Sequence, residues 1–403
     1  MSDSLILIIN PKCGDEQGPD FVDEHVIPLL SGKGIHIDRQ IVTTAPGHGG
    51  LEVVNFINGH KEHSSISIIL ASGDGTLHEI INSVHNASFV HELQISVALV
   101  PTGTANALYS SLFSHALAGL QGGSITPIDY KLHSVKSLLN GRRNISPLTI
   151  TKATVRSSAN EITASSFAAV VTSTALHASI LHDSESLREQ VPDLSRFKLA
   201  AQKNITRWYQ GTVKFRPADN GQVLVYDSHS NQFVPFVGDD NNATEPTMSG
   251  PFAYFLSTVN VDRLEPSFVI SPLHSKIPSG GRTMDLIVIR PKRDPTIPKE
   301  SSSEDDHTRF AKKVEQALYA AYRDGAHVGL KYSRDGQLLD GAASKSLHSL
   351  VEYIRFTGSW RWINTGTEIA HLCVDGAIFD IETGGEAECQ VIDSKVLRFG
   401  IFV

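Results

Sequence analysis

The chain has 403 residues, 40% of them hydrophobic and 19% charged, with a formal net charge of −8. That length exceeds what a single core usually fills and suits two domains. The negative balance excludes a general electrostatic pull on nucleic acid or on an anionic membrane, and leaves only a local basic patch for transient membrane docking.

The opening residues, MSDSLILIIN, hold a short apolar run without a basic leader, and read as a buried strand rather than a signal peptide. Residues 5–9 form that strand, and Asn10-Pro11-Lys12-Cys13-Gly14 is a turn. Helical spacing follows over 21–30, a strand over 35–42 ending at Thr43-Thr44, and a helix over 51–58. Residues 67–70 are a buried strand leading into Ser72-Gly73-Asp74-Gly75-Thr76, then a helix over 77–84. Residues 95–100 repeat the pattern, with a glycine loop from Pro101 to Asn106 and a helix over 105–117. Strand, glycine turn and helix in repetition predict an α/β domain with a mostly parallel sheet and helices on both faces, over residues 1–130.

The pattern changes at Pro127-Ile128-Asp129. Strand-like runs then dominate at 148–155, 166–175, 222–226, 253–259, 284–289, 351–356, 369–374 and 395–402, with helices over 194–210 and 309–322. Residues 131–403 therefore read as a mainly antiparallel β domain, with surface loops at 238–250 and 294–306. The helix at 309–322 and the apolar run 252–259 read as core rather than as a membrane anchor or lipid channel. No stretch approaches the roughly 20 apolar residues that span a bilayer. Cys13, Cys373 and Cys389 are odd in number and lack zinc spacing, so they read as reduced thiols of a cytoplasmic protein.

Two loops carry the chemistry. Each follows a strand and opens a helix, the arrangement in which backbone N–H groups and a helix N-terminus meet an anion. In the first, Gly73 and Gly75 permit unusual dihedrals and close approach of a ligand. Asp74 between them would repel a phosphate unless it engages Mg²⁺ or takes a proton from an incoming hydroxyl. Taken alone, the same residues also read as an Asx-bonded turn. In the second loop, Thr104 is placed to cap the helix and Asn106 to reach the first loop or a nucleotide; alone this is an ordinary capped helix start. Neither loop is a Walker A sequence or a dinucleotide fingerprint. His78-Glu79 does not extend to HExxH, which rules out that zinc motif.

Asn10-Pro11, SGDGTLHEIIN and VPTGTANAL, in this order, resemble the diacylglycerol kinase catalytic domain family, which includes sphingosine and ceramide kinases. Downstream, Thr126-Pro127-Ile128-Asp129 is similar to the family's domain junction. Residues 183–188 with Arg196-Phe197 resemble its acidic, arginine-bearing stretch. Asp375-Gly376-Ala377 stands where the family carries Asp-Gly-Glu. The resemblance implies an ATP- and Mg²⁺-dependent lipid kinase with its active site in a cleft between a nucleotide-binding and a lipid-substrate domain. It implies that Asn10, Pro11, Lys12, Thr43 and Thr44 line the ATP pocket. Ser72, Gly73, Gly75 and Thr76 would shape the phosphate and acceptor site, with Asp74 as catalytic carboxylate and Glu79 on the nucleotide side. Gly103, Thr104, Ala105 and Asn106 would hold the nucleotide. Arg188 and Arg196 would contact phosphates, and Asp375 with Gly376 would complete the site near the metal.

Two departures bear on the acceptor. The family's glutamate is Ala377 here, and the window 173–182 lacks the aspartate with which sphingosine kinases grip an amino-alcohol head. Asp183 would replace it if the register slips. His177 and His182 read either as head-group contacts or as ordinary histidines at a strand end. The expected acceptor is a sphingoid base, ceramide or diacylglycerol, met at a membrane surface by a cytoplasmic protein peripheral to intracellular membranes. An NAD kinase-like enzyme and a catalytically weakened nucleotide- or lipid-binding protein are the alternatives.

Overall fold

The computed structural model describes residues 4–60, 63–87, 89, 92–141, 144–191, 195–219, 221–240, 244–300, 302–340 and 348–403. The chain forms two compact units. One comprises Met1–Ile150, Arg263–Pro266 and Ile392–Val403; the other comprises Thr151–Asp262 and Ser267–Val391.

The first unit is built on β1 (Ser4–Ile9), β2 (Arg39–Val42), β3 (Ser65–Ser72) and β4 (Leu93–Pro101), in the order β2-β1-β3-β4 and all parallel. Every residue of β1 is buried, as a strand covered on both faces requires. Alternation sends Leu5, Leu7 and Ile9 to one face. There they join Ile69, Ala71, Ala98 and Val100, and pack under Val22, Val26 and Leu30 of the helical stretch 18–31 and Val135 of the helix His133–Leu139. Ile8 points to the other face, where the helix His48–Gly59 lies: a Cβ on its Gly49 would stand 3.7 Å from Ile8 Cγ2. The next helix, Asp74–Asn86, presses on that one so closely that a Cβ on Gly50 would be 2.2 Å from Ser83 Oγ. Helices thus cover both faces, as the strand–helix repetition predicts.

Several elements differ from expectation. The strand expected over 35–42 is only Arg39–Val42. The helix expected over 105–117 is two helices, Ala107–Leu112 and Ser114–Gln121, because Phe113 leaves the helical region (φ −109°, ψ 38°). Residues 127–129 are the start of a short helix, Pro127–Lys131, whose first turn is capped by the Thr126 hydroxyl accepting from the Asp129 N–H. The unit continues beyond residue 130 through His133–Leu139, where the Ser134 hydroxyl donates to Phe402 O (2.6 Å) and accepts from Leu99 N–H (3.0 Å). The last strand, Leu397–Phe402, does not join the β-rich unit: it lies parallel beside β4 and pairs antiparallel with Ile145–Pro147. Its apolar run signals burial but carries no information about which sheet accepts it.

The second unit contains an eight-stranded sheet, a six-stranded sheet and a two-stranded ribbon. Antiparallel pairs include Tyr254–Thr258 with Met284–Ile289 and Gly358–Asn364 with Glu386–Ile392. Trp360 and Trp362, two residues apart on one strand, share a face and are fully buried against Phe255 of the larger sheet. The mainly antiparallel reading therefore holds, and residues 252–259 are all buried. The run 166–175 instead divides into Ile162–Ala168, Val171–Thr174 and the start of a helix, Ala175–Ser186, so His177 and His182 sit on a helix rather than at a strand end. The polar stretch 294–306 is not all loop. Asp294 is buried and paired with Lys313, and Ser303 and Asp306 form a reciprocal capping box that opens the helix Glu304–Ala321. That helix buries Phe310 and Val314 and ends at Ala321, one residue short of the expected Tyr322, which is exposed. The helix expected over 194–210 is Ser195–Asn204, and Leu194 lies outside the described residues. Within 238–250, Thr247–Ser249 is a strand, and 241–243 lie outside the described residues. Among the described residues no helix is long and apolar enough to cross a membrane.

Candidate active site

The order β2-β1-β3-β4 reverses direction between β1 and β3. At such a switch point the chain leaves the carboxyl ends of two neighbouring strands on opposite sides, opening a crevice where ligands bind in α/β sheets. Asn10 follows β1 at this edge and Ser72 ends β3. Asn10 Nδ2 donates to Thr76 Oγ1 (3.0 Å), and Thr76 Oγ1 shares a hydrogen bond with Ser72 Oγ (2.6 Å). Asn10 Oδ1 accepts from Lys12 N–H (3.0 Å), so one side chain holds both the turn after β1 and the first turn of the helix after β3. Thr43, buried after β2, takes its N–H to Ile9 O. Thr44 N–H donates to His48 Nδ1 (3.1 Å). Lys12 is exposed, its ammonium 3.4 Å from Glu16.

The two glycine loops meet backbone to backbone. A Cβ on Gly103 would lie 2.4 Å from Gly73 Cα, and one on Gly73 would lie 3.1 Å from Gly103 Cα. A Cβ on Gly14, itself at φ +59°, would lie 2.1 Å from Thr102 O, so the turn after β1 is pressed onto the second loop as well. Cys13 Sγ joins this contact, 3.2 Å from Thr102 Oγ1. Gly73 is extended rather than left-handed, and Asp74 is already helical. The glycines serve close approach, and neither Gly73 nor Gly75 adopts the positive dihedral expected of them. Gly75 is exposed in the first helical turn, with open space where a Cβ would stand. First-turn N–H groups have no intrahelical acceptor, so this end of a 13-residue helix offers donors to an anion.

Asp74 carries a contact that its sequence setting does not announce. Its Oδ2 accepts from Ala107 N–H (2.7 Å) and its Oδ1 from Leu108 N–H (3.2 Å). It thereby satisfies two orphan donors of the helix Ala107–Leu112, the service expected of Thr104, which is exposed. Asn106, at left-handed φ 51°, folds back on its own loop: Oδ1 accepts from Gly103 N–H (3.0 Å) and Nδ2 donates to Gly103 O (2.7 Å). Ala105 is exposed beside Thr104, and Glu79 is half-buried in the helix after Asp74. The first unit therefore gathers Asn10, Ser72, Gly73, Asp74, Thr76, Gly103 and Asn106 at one edge.

The remaining candidates belong to the second unit. Asp375-Gly376 is the two-residue turn (φ 47° and 96°) of a hairpin in which Val374 pairs with Ala377. The Asp375 carboxylate accepts from the N–H groups of Ala169 (2.7 Å), Val170 (3.0 Å) and Val171 (2.7 Å), stitching the break between two strands. Asp183 is held by Lys203 (2.8 Å), Asn204 (2.9 Å) and His182 (3.0 Å). Partial burial pushes its pKa up, but these three partners outweigh that and keep it well below the usual carboxylate range. His177 shares a hydrogen bond with Ser173 (2.7 Å), and burial lowers its pKa to about 4, so it is neutral at pH 7. Arg196 lies over the Phe197 ring. Arg188, paired with Glu185 at 3.2 Å, and Gly376 line one cavity of about 910 Å³ together with Leu181, His182, Phe197 and Phe379. His182 stacks on His371 at 3.9 Å. Among the described residues no three His, Cys, Asp or Glu side chains gather as a metal site.

Residues 4–136 match the family described as diacylglycerol kinase catalytic domain. Sphingosine kinase B of Dictyostelium discoideum is 33% identical over 122 residues, covering 29% of this chain and 15% of that protein. Sphingosine kinase 2 of Homo sapiens is 27% identical over 112 residues, covering 28% and 16%. The match thus spans no more than 16% of the length of these two relatives. Among solved structures, a diacylglycerol kinase from Bacillus anthracis str. Sterne has a TM-score of 0.46 at 14% identity, covering 98% of this chain and 96% of its own. Yeast NADH kinase complexed with NADH has a TM-score of 0.38 at 9% identity, covering 99% and 84%. Over residues 4–136, which take in β1 to β4 and the three loops of the switch-point edge, the chain is similar in sequence to the diacylglycerol kinase catalytic domain.

Proposed function

We propose that the protein is an ATP-dependent lipid kinase that phosphorylates a hydroxyl of a sphingoid base, ceramide or diacylglycerol. One observation carries this reading: three loops meet at a parallel-sheet switch point, with glycine backbones in contact and a carboxylate at the head of a helix. The sequence match over residues 4–136 supports it. The residues present fit a nucleotide phosphate: Gly75 is exposed with open space where a Cβ would stand, in a first helical turn whose N–H groups have no intrahelical acceptor. Mg²⁺ accompanying ATP needs only one or two carboxylates besides the phosphates, so the lack of a three-ligand cluster among the described residues is compatible with it.

In this reading Gly73, Gly75 and the first-turn amides cradle phosphate, while Gly103 and Asn106 hold the second loop against them. Asp74 orients the lipid hydroxyl and takes its proton as the oxygen attacks the γ-phosphorus in line. Transfer then rests mainly on positioning and charge neutralisation. The protein would meet that lipid at a membrane surface. The test is turnover of labelled ATP by the purified chain against mixed micelles of sphingosine, ceramide or diacylglycerol, with NAD as a further acceptor. Phosphorylated lipid with wild type and a loss of about 100-fold or more in Asp74→Ala is expected. Nucleotide binding without transfer to any lipid would sink the proposal, and transfer to NAD would replace it with an NAD kinase.

A further inference from the structure

The kinase reading gives Asp74 the acceptor's proton, yet both of its oxygens accept N–H donors of the other loop, from Ala107 and Leu108. The helix it caps, Ala107–Leu112, has no side-chain cap of its own: Asn106 is turned toward Gly103 instead. The link is mechanical as well as electrostatic. Gly73, which precedes Asp74, is in backbone contact with Gly103, so the second loop is held to the first at two adjoining points.

We propose that Asp74 is a clamp on the nucleotide loop, and that receiving the acceptor's proton opens it, so that phosphoryl transfer itself loosens the hold on ADP. This rests on the kinase reading above. As the acceptor oxygen bonds to the γ-phosphorus, the bond from that phosphorus to the β–γ bridging oxygen breaks. The hydroxyl proton passes to one oxygen of Asp74, and the electron pair of the broken bond leaves on ADP. The protonated oxygen is now a donor and a poor acceptor, and the charge that strengthened both amide bonds is gone. Charge-assisted hydrogen bonds are about twice as strong as neutral ones. The grip on Ala107 and Leu108 therefore weakens when ADP must leave, and returns when the proton passes to water.

The sign of one measurement separates this from a simple charge effect. Removing a carboxylate beside a rigid phosphate site relieves repulsion and tightens ADP; removing a clamp weakens it. Asp74→Asn is isosteric and neutral and mimics the protonated state. Calorimetry with ADP in the absence of divalent cations is expected to show affinity about tenfold lower than wild type. Amide hydrogen exchange at Ala107 and Leu108 should accelerate by a similar factor. Asp74→Ser, shorter and neutral, is the second variant with the same expectation, should the first not reach the folded state. ADP binding that is unchanged or tighter, with unchanged exchange at the two amides, overturns the clamp alone. A wild-type chain that binds no ADP overturns the nucleotide reading and the clamp with it.

Discussion

The Cβ that any other residue would carry at Gly103 falls 2.4 Å from Gly73 Cα and 2.9 Å from both Gly73 N and Asn106 Oδ1. All three belong to constrained backbone or to a hydrogen-bonded side chain, so the loop itself must shift. Gly103→Ala is expected to lower stability by about 1–3 kcal/mol and to separate the two loops. A thermal melt with a nucleotide-binding assay checks this: loss of binding with an unaltered melting temperature would mean that the contact is not under load. His327 gives a residue-scale prediction in the second unit. It is buried, and burial holds its pKa near 4 despite its hydrogen bond with Ile270 O (3.0 Å). The unfolded chain protonates near pH 6.5, the folded one only near 4, so the folded state lags in proton uptake. The contribution is whole above pH ~6.5 and falls away as the pH drops toward 4, by up to about 3 kcal/mol. Denaturant unfolding between pH 7.5 and 4.5 should show this slope, and His327→Gln should flatten it. An identical slope in the variant would assign the acid sensitivity elsewhere.

The elements of the parallel sheet follow from pattern, but their partners do not. Leu397–Phe402 is a good strand on its apolar content, and it closes the first unit's sheet by pairing with β4 on one side and Ile145–Pro147 on the other. Its Phe402 belongs to the same core as Leu5 and Val135. Deleting residues 397–403 is therefore expected to unfold the unit that contains the N-terminus, although the deletion is nearly 400 residues away in sequence. Limited proteolysis followed by mass spectrometry tests it: new cleavage concentrated within residues 1–150 is expected, and protection equal to wild type there would refute it. The helix Ala175–Ser186 shows the opposite failure. Val-Val-Thr-Ser-Thr runs straight into it, and the strand is stopped by Ala175 at φ 56°, a backbone turn that no residue type advertises. The capping box at Ser303 and Asp306 was visible in principle, yet the surrounding acidic, proline-bearing sequence reads as loop.

At the scale of the whole molecule, the sequence by itself determined the α/β character of the first unit, the antiparallel character of the second, and the two glycine loops at strand ends. Periodicity and turn chemistry are local, so they survive without coordinates. It also marked Gly73 and Gly75 as positions where the backbone comes close to a ligand, but not Gly103, whose contact is with Gly73. The tertiary structure decided what approaches what. Gly73 meets Gly103, Asp74 caps a helix 33 residues further on, and Asn106 folds onto its own loop. It likewise decided that Asp375 serves three amides at the break between two strands, that Asp183 is paired with Lys203, and that the final strand belongs to the first unit. A carboxylate between glycines states its charge in the sequence. Which donors reach that charge depends on chain segments brought together by folding, and no local pattern encodes that distance.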